Sequence, residues 1–392
     1  MLANASPIDE IEQCPLANTL GRVLARPLIA PHPVPPTDNS AMDGYAFRHC
    51  DLSEQEEATT LAISQRIAAG DVASELRAHS AARIFTGAPI PSGADTVVPQ
   101  EQCHEENNRV TLNAQPLHGQ HIRHAGEDIK EGAVFISKGS RIQPHAMGLI
   151  AANGIATVPL FRHLKVALIS TGNELLMPGS PLQDGKRFNA NHFTLTGFLQ
   201  ALNCEIIDLG TVPDILSATV DTLKQAADSA DLIISSGGVS VGEEDHVKAA
   251  IDQLGNLDIW QLNIKPGKPL AFGEVNNTPY FGLPGNPVSL FVTFCLFARP
   301  YIQRMQGIEE VQPQSIKIRA QFSHAKKGSR QEYVRSRIST SAQGSTVSTF
   351  GKQGSGVLSS TVWANSLTII PPGSIVEPGD LVEVIPFNEL IT

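Results

Sequence analysis

The sequence is poor in charge, in basic residues above all, and its cysteines form no pairs. Asp, Glu, Lys and Arg make up 17 % of the 392 residues, against about 25 % in an average globular protein. That scarcity excludes a charge-dense disordered chain. Basic residues number 29 against 39 acidic ones, for a formal net charge of −10. A general nucleic-acid binder needs a basic stripe, so no nucleic-acid partner is expected. Small anions stay open, because local geometry rather than net charge holds them. The five cysteines, Cys14, Cys50, Cys103, Cys204 and Cys295, are scattered without a CxxC pair. Neither a zinc ribbon nor a disulfide framework is expected, and reduced thiols in the cytoplasm are. The longest apolar run, near 290–298, falls far short of the ~20 residues of a membrane helix. Residues 1–13 carry Asp9, Glu10 and Glu12 and have no apolar stretch, so they do not read as a signal peptide. No GK[ST] follows a glycine loop and no GxGxxG follows a strand. That leaves no support for a Walker A site or a nicotinamide site.

Glycine and proline, by contrast, are plentiful. The 32 glycines and 27 prolines exceed the roughly 12 % share of average usage and imply many turns and short strands. At roughly 150 residues per domain, the length suggests two or three domains, with several cores.

Three textures run along the chain. Residues 1–160 are turn-rich and β-like, with an extended segment at Pro31, Pro33, Pro35 and Pro36. Strands are expected at 82–85, 96–99, 110–112 and 133–136, and a short helix at 145–154. Residues 161–311 alternate. Strands at 165–170, 204–209, 231–236, 258–264 and 280–283 are interleaved with helices at 193–202, 216–227, 245–254 and 286–306. That alternation predicts a parallel sheet covered on both faces. From about 312 the texture returns to β. Strands at 315–322, 333–338, 346–350, 366–370 and 381–385 predict a small barrel or sandwich.

In such a sheet, ligands bind beyond the carboxyl ends of the strands. Three unusual loops follow strands there: Thr171-Gly172-Asn173-Glu174-Leu175; the glycine-rich run from Gly237 and Gly238 to Glu243, Glu244 and Asp245; and Pro284-Gly285-Asn286-Pro287 entering a helix. Each offers backbone N–H groups to an anion, and a helix N-terminus adds positive dipole. Pro287 costs no hydrogen bond at the first helical position, and Asn286 is placed to cap it. Glu174, Asp214 and Asp245 put carboxylates near the anion pocket. That suggests magnesium bridging to a phosphate. Lys265 and Lys268 supply counter-charge on a stiff turn. Any one such loop is ordinary connection chemistry, but three at adjacent strand ends favour a phosphorylated ligand. Taken alone, the turns around Asp43, Thr86 and Asp128 read as tight connections. His118, His121 and His124, every third residue, read as solvated loop histidines. Arg335 and Ser355 read as part of a charged barrel face.

Seven motifs occur in order: DNSAMDGYA, FTGAPIPSGAD, AGEDI, ISTGNEL, SSGGVSVGEEDHVK, IKPGKPLAFG and GLPGNPVS. Together they resemble the molybdopterin molybdenumtransferases, the MoeA and gephyrin E-domain family, over roughly residues 20–392. The resemblance implies a multidomain α/β plus β fold. A central α/β molybdopterin-binding domain at 161–311 would be flanked by a β-rich lobe at 31–130 and a C-terminal β-barrel at 312–392. Residues 1–30 and 131–160 would form a split linker and dimerisation domain. It implies insertion of molybdate into adenylated molybdopterin with release of AMP, assisted by Mg2+. It also implies a homodimer whose cleft is shared between subunits, with possible contacts to other cofactor-biosynthesis or molybdoenzyme proteins. Carried over by motif, Asp43, Thr86 and Asp128 would face the cleft from the β-rich lobe. Glu174, Asp214 and Asp245 would line the pterin-nucleotide and metal side. Ser236, Gly237, Gly238, Gly285 and Asn286, framed by Pro284 and Pro287, would cradle phosphate or pterin. Lys265, Lys268, Arg335 and Ser355 would hold the oxyanion. Molybdate is a tetrahedral dianion, and a guanidinium fork, ammonium groups and a hydroxyl suit it.

The sequence departs from the family pattern in places. Its beginning is short, without the further helix common in members. Gln261 stands where lysine is frequent. Asn173 and Asn189 stand where aspartates are usual, and Ile215 follows Asp214 where a second acid is frequent. Two alternatives remain: a molybdopterin adenylyltransferase, normally a lone α/β domain, and a non-catalytic molybdopterin-binding or scaffold homologue.

Overall fold

The computed structural model describes residues 1–53, 58–113, 115–238 and 246–391, with Ile259 and Trp260 through their backbone alone. At its centre is a six-stranded sheet. Its order is Glu205–Val212, Lys165–Thr171, Leu232–Ser236, Thr278–Leu283, Pro269–Val275, Gly255–Gln261. The first four of these strands run parallel, as the alternation predicts. The structure adds a strand that the sequence reading leaves in a turn. Pro269–Val275 runs antiparallel to both its neighbours. It joins Thr278–Leu283 through Asn276 (φ 47°) and Asn277 (φ 67°), a two-residue loop in the left-handed conformation that matches strand twist.

Alternate residues of these strands feed two cores. Val166, Leu168, Leu232, Ile234, Phe281 and Leu283 face helix Ala190–Ala201 and the helical run starting at Pro287. Ala167, Ile169, Ile233 and Tyr280 face the helices Leu216–Ser229 and His246–Ile251. Burial on both faces is why these strands read as continuous apolar runs. Each fully buried Leu or Phe contributes about 1.5–3 kcal/mol. The helical run from Pro287 widens to a π turn at Phe294–Ala298 and resumes at Arg299–Met305. Pro300 lies just beyond that turn, lacks an N–H, and its ring would clash with the Leu296 carbonyl of a regular α-helix.

Around this domain the chain is β-rich. Thr96–Pro99, Gly44–Phe47, Ser80–Ile84, Thr59–Ile67, Arg109–Leu112 and Cys103–Glu106 form a second six-stranded sheet in that order. Gly44 has to be glycine there, since a Cβ would lie 1.9 Å from the Val98 carbonyl oxygen. Strand Ile11–Pro15 pairs antiparallel with Thr157–Phe161, and Leu28–Ile29 with Val134–Ile136. In the C-terminal region, Gln331–Ser341, Gly344–Thr349, Ile316–Ala320, Leu381–Pro386 and Ser366–Ile370 close into a barrel, the last strand pairing back to the first. All five match strands expected from the sequence. The barrel is stitched to the α/β domain: Ile264–Lys265 pairs parallel with Gln331–Glu332, and the Val288 N–H donates to the Ser355 carbonyl at 3.0 Å. Among the described residues no helix is long and apolar enough to cross a membrane.

Candidate active-site cleft

A cleft of about 310 Å³ opens at the carboxyl ends of the parallel strands. Its walls include Gly172, Glu174, Asp214, Ser236, Gly237, Gly238 and Gly285. All were named from the sequence: Gly172, Glu174, Gly237, Gly238 and Gly285 lie in the three loops named for anion binding, Ser236 ends the strand before the second, and Asp214 follows strand Glu205–Val212. Glycine is required at two of them by geometry. Gly237 (φ +87°) would press a Cβ to 3.0 Å from the Thr171 carbonyl oxygen, and Gly238 (φ +67°) to 2.4 Å from Val247 Cγ2. The Gly237 N–H is itself taken, donating to the Leu283 carbonyl at 3.0 Å.

Glu174 and Asp214 sit on neighbouring loops of this cleft. Asn173 ties the loops together: its N–H donates to Asp214 Oδ2 at 3.2 Å, and its Oδ1 accepts the Asp214 N–H at 3.3 Å. Asp245, the third expected acid, lies outside the described residues. Among the described residues no group of three His, Cys, Asp or Glu side chains gathers as a metal cage. His118 pairs with Asp95 and His124 with Asp38, each separately.

The helix entrance differs in detail from expectation. Asn286 occupies the cap position, but its side chain makes no capping bond. The first free amide, that of Val288, is taken by Ser355 O, and Pro287 has none. Pro284 and Pro287 hold the turn, and the Gly285 carbonyl accepts from Asn191 Nδ2 at 2.9 Å.

The expected oxyanion residues form a separate group at the seam between α/β domain and barrel. Lys265 Nζ lies 3.1 and 3.0 Å from the two oxygens of Glu332, which belongs to the barrel. Its charge is therefore already partnered. Lys268 is exposed one turn further on. Arg335 is the largest fully buried side chain. Its Nε donates to Ser360 Oγ at 3.0 Å and its Nη2 to the Gly354 carbonyl at 3.2 Å. These acceptors are neutral, and burial lowers its pKa to about 10. Gln353 bolts the covering loop to both the N–H and the carbonyl of Arg335.

In the β-rich lobe, Thr86 donates both its N–H and its hydroxyl to Asp43 Oδ1, each at 2.7 Å. These bonds, the backbone one first, hold the Asp43 carboxyl below the usual range. Asp128 is exposed, and its N–H donates to Val34 O at 3.1 Å. Neither this group nor the seam group borders the α/β cleft within one chain.

Five cleft residues were not singled out from the sequence: Arg187, Asn191, Thr219, His246 and Val247. Arg187 and Asn191 flank the start of helix Ala190–Ala201. The legible signal was the cap itself: Asn189 Oδ1 accepts the His192 N–H at 3.1 Å, as an aspartate there would.

Fold and cleft together define a multidomain α/β protein that presents a glycine-walled, acid-bearing anion cleft beside a small β-barrel. Residues 1–154 match the family model of the MoeA N-terminal region, domains I and II. Residues 167–304 match that of a probable molybdopterin binding domain, and 317–387 that of the MoeA C-terminal region, domain IV. A molybdopterin molybdenumtransferase of Haemophilus influenzae is 39 % identical, over 97 % of this chain and 95 % of its own length. One from a Nostoc species is 36 % identical over 80 % and 74 %. The crystal structure of the molybdopterin biosynthesis MoeA protein from Pyrococcus horikoshii OT3 superposes with a TM-score of 0.85 at 30 % identity, covering 98 % of this chain and 97 % of that one. The chain belongs to the MoeA family.

Proposed function

We propose that this chain is an enzyme of molybdenum cofactor biosynthesis that inserts molybdate into adenylated molybdopterin and releases AMP. The observation that carries this is the match, region by region and nearly end to end, to proteins named molybdopterin molybdenumtransferase. An adenylyltransferase is not favoured, because the flanking regions match family models of their own.

In this reading the α/β cleft holds the pterin nucleotide. Gly237, Gly238, Gly285 and the hydroxyl of Ser236 cradle phosphate, with Asn286, Pro284 and Pro287 shaping the turn. Glu174 and Asp214 offer hard carboxylate oxygens on adjacent loops, which fits Mg2+, an ion that takes few protein ligands and keeps waters and substrate oxygens. Asp245 would complete the set. When bound, the ion supplies charge neutralisation on the phosphoanhydride. The chain's own residues orient the substrate and present the oxyanion. Arg335, a buried cation among neutral acceptors, gives the seam a positive potential suited to a dianion. Lys265, Lys268 and Ser355 would share in holding it. Asp43, Thr86 and Asp128, on the β-rich lobe, would complete the cleft from a second subunit.

The division into four parts is supported by the pairing of Ile11–Pro15 with Thr157–Phe161 and of Leu28–Ile29 with Val134–Ile136, which ties residues 1–30 to 131–160. A homodimer is supported by helix Pro144–Ala152, an apolar helix with a single fully buried side chain, Ile150. A cytoplasmic setting and contact with molybdoenzyme proteins follow from the reaction assigned.

The experiment is direct. Purified protein is incubated with adenylated molybdopterin, Mg2+ and molybdate. AMP release with cofactor formation is expected. Tight pterin binding without AMP release would instead mark a non-catalytic molybdopterin-binding homologue.

A further inference from the structure

We propose that Asn173 is a positioning residue that sets the separation and orientation of the Glu174 and Asp214 carboxylates, and through them the affinity of the cleft for a divalent cation. This rests on the reading of that pair as the metal side of the cleft.

The loops that carry the two acids come from different strands, Lys165–Thr171 and Glu205–Val212. The ladder between those strands ends at Thr171 and Val212, so it does not fix the two tips to each other. Asn173 supplies that fixation by exchanging two hydrogen bonds with Asp214. One runs from its own N–H to the Asp214 carboxylate, at 3.2 Å. The other runs from the Asp214 N–H to its amide oxygen, at 3.3 Å. The first orients the carboxylate, and the second places the Asp214 backbone.

The turn is held from its other side as well. Lys186 Nζ donates to the Asn173 carbonyl at 2.6 Å, and the Arg187 N–H donates to the Glu174 carbonyl at 2.9 Å. Gly172, at φ +136°, leaves room for the Glu174 carboxylate to fold back, since a Cβ there would lie 2.5 Å from Glu174 Oε2. Asn173 is thus the one side chain of this turn that bonds across to the second acid-bearing loop among the described residues.

The chemistry of the residue matters. An amide oxygen accepts the Asp214 N–H without adding a charge beside two carboxylates. An aspartate would accept the same bond and add a third negative charge, raising attraction for a cation. Alanine would lose the acceptor while keeping its own N–H bond to Asp214. Residues that hold metal-binding carboxylates in place cost about 10–100-fold in affinity when removed. With one of the two bonds retained, the lower end, about tenfold, applies to Asn173→Ala.

The test is Mn2+ binding to the full-length protein, read by the loss of free Mn2+ electron paramagnetic resonance signal, with no substrate and no turnover. Five proteins are compared: wild type, Asn173→Ala, Asn173→Asp, Asp214→Asn and the double variant with Asn173→Ala in the Asp214→Asn background. The expected result has three parts. Asn173→Ala weakens Mn2+ about tenfold, Asn173→Asp binds at least as tightly as wild type, and Asn173→Ala adds nothing once Asp214 is Asn. Wild-type affinity in Asn173→Ala alongside weakened Asp214→Asn overturns the positioning role and leaves the metal reading standing. Wild-type affinity in Asp214→Asn, or no saturable Mn2+ binding by the wild-type chain, removes the metal reading and the positioning role with it. Unchanged thermal melting of Asn173→Ala separates a binding loss from a folding loss.

Discussion

At the scale of single residues, the β-rich lobe aims donors at charge. Thr86 gives two of them to one oxygen of Asp43. Because the Asp43 pKa is depressed in the folded chain, its ionised form contributes stability that is present above the unfolded value and is lost as pH falls through the folded pKa. Thr86→Val removes the hydroxyl donor and keeps the N–H. The Asp43 pKa should therefore rise part of the way toward that of an ordinary aspartate, as a pH titration of the carboxyl carbon by NMR would show. A value unchanged from wild type would leave the hydroxyl without a role. Arg335 makes the opposite case, a cation whose partners are neutral. Ser360 Oγ accepts from its Nε and itself donates to the Val357 carbonyl at 2.6 Å. Ser360→Ala strands a buried guanidinium N–H, at a cost of about 1–3 kcal/mol. A drop of that size in urea-unfolding stability is the expected outcome, with a weaker molybdate KM effect in Ser360→Thr than in Ser360→Ala.

At the scale of elements, the barrel reaches the α/β domain through a short parallel pairing, an ion pair, the Val288–Ser355 backbone bond and apolar packing of Leu367 and Ile385. Lys265 is 46 % exposed and Glu332 is 11 % exposed in their side chains. The pair is thus neither a surface salt bridge nor a fully desolvated one. A double-mutant cycle with Lys265→Met and Glu332→Gln should return a coupling of roughly 1 kcal/mol, the upper end for exposed pairs, and a value near zero would show that the ion pair adds nothing to the seam. Elements of this kind were unevenly legible. The five barrel strands could be read from the sequence because Gly, Pro and Ser punctuate each of them. Strand Pro269–Val275 was hidden because Pro266, Gly267 and Pro269 read as a turn, although proline is tolerated as the first residue of a strand. Its partner turn, Asn276-Asn277, carried the hairpin signal. Thr59–Ile67 was missed although its burial alternates from Thr59 through Leu61, the period of a half-buried strand. The cleft was largely legible because glycines and acids sit in contiguous motifs. Arg187, Asn191, Thr219, His246 and Val247 were not, because they reach it from a short strand and from helices that only tertiary packing brings together. That Lys265 has a carboxylate partner was invisible for the same reason, since Glu332 is 67 residues away.

At the scale of the molecule, a chain of net charge −10 is assigned two anionic substrates, and the three groups of functional residues do not meet within one chain. In the proposed homodimer a second copy would bring them together, and one exposed apolar patch is placed to receive it. Ile29 and Val134 are register partners across a two-strand ladder, yet they remain 54 % and 56 % exposed. Val134 borders a shallow groove with Ile129, Phe135 and Leu149, and Leu149 belongs to helix Pro144–Ala152. Apolar side chains so placed gain by burial against a partner, at about 25 cal/mol per Å² of apolar surface. A carboxylate at this position would have to be desolvated on burial against the partner. Val134→Asp should therefore raise the dimer dissociation constant by more than tenfold, about 1.4 kcal/mol, while the monomer, whose residue 134 faces solvent, keeps its unfolding midpoint. Sedimentation velocity across a concentration series reads the first quantity and thermal melting the second. If the cleft is shared, AMP release should fall in step with the dimer fraction and recover as protein concentration rises. Full activity in a monomeric Val134→Asp protein would place the complete cleft within one chain.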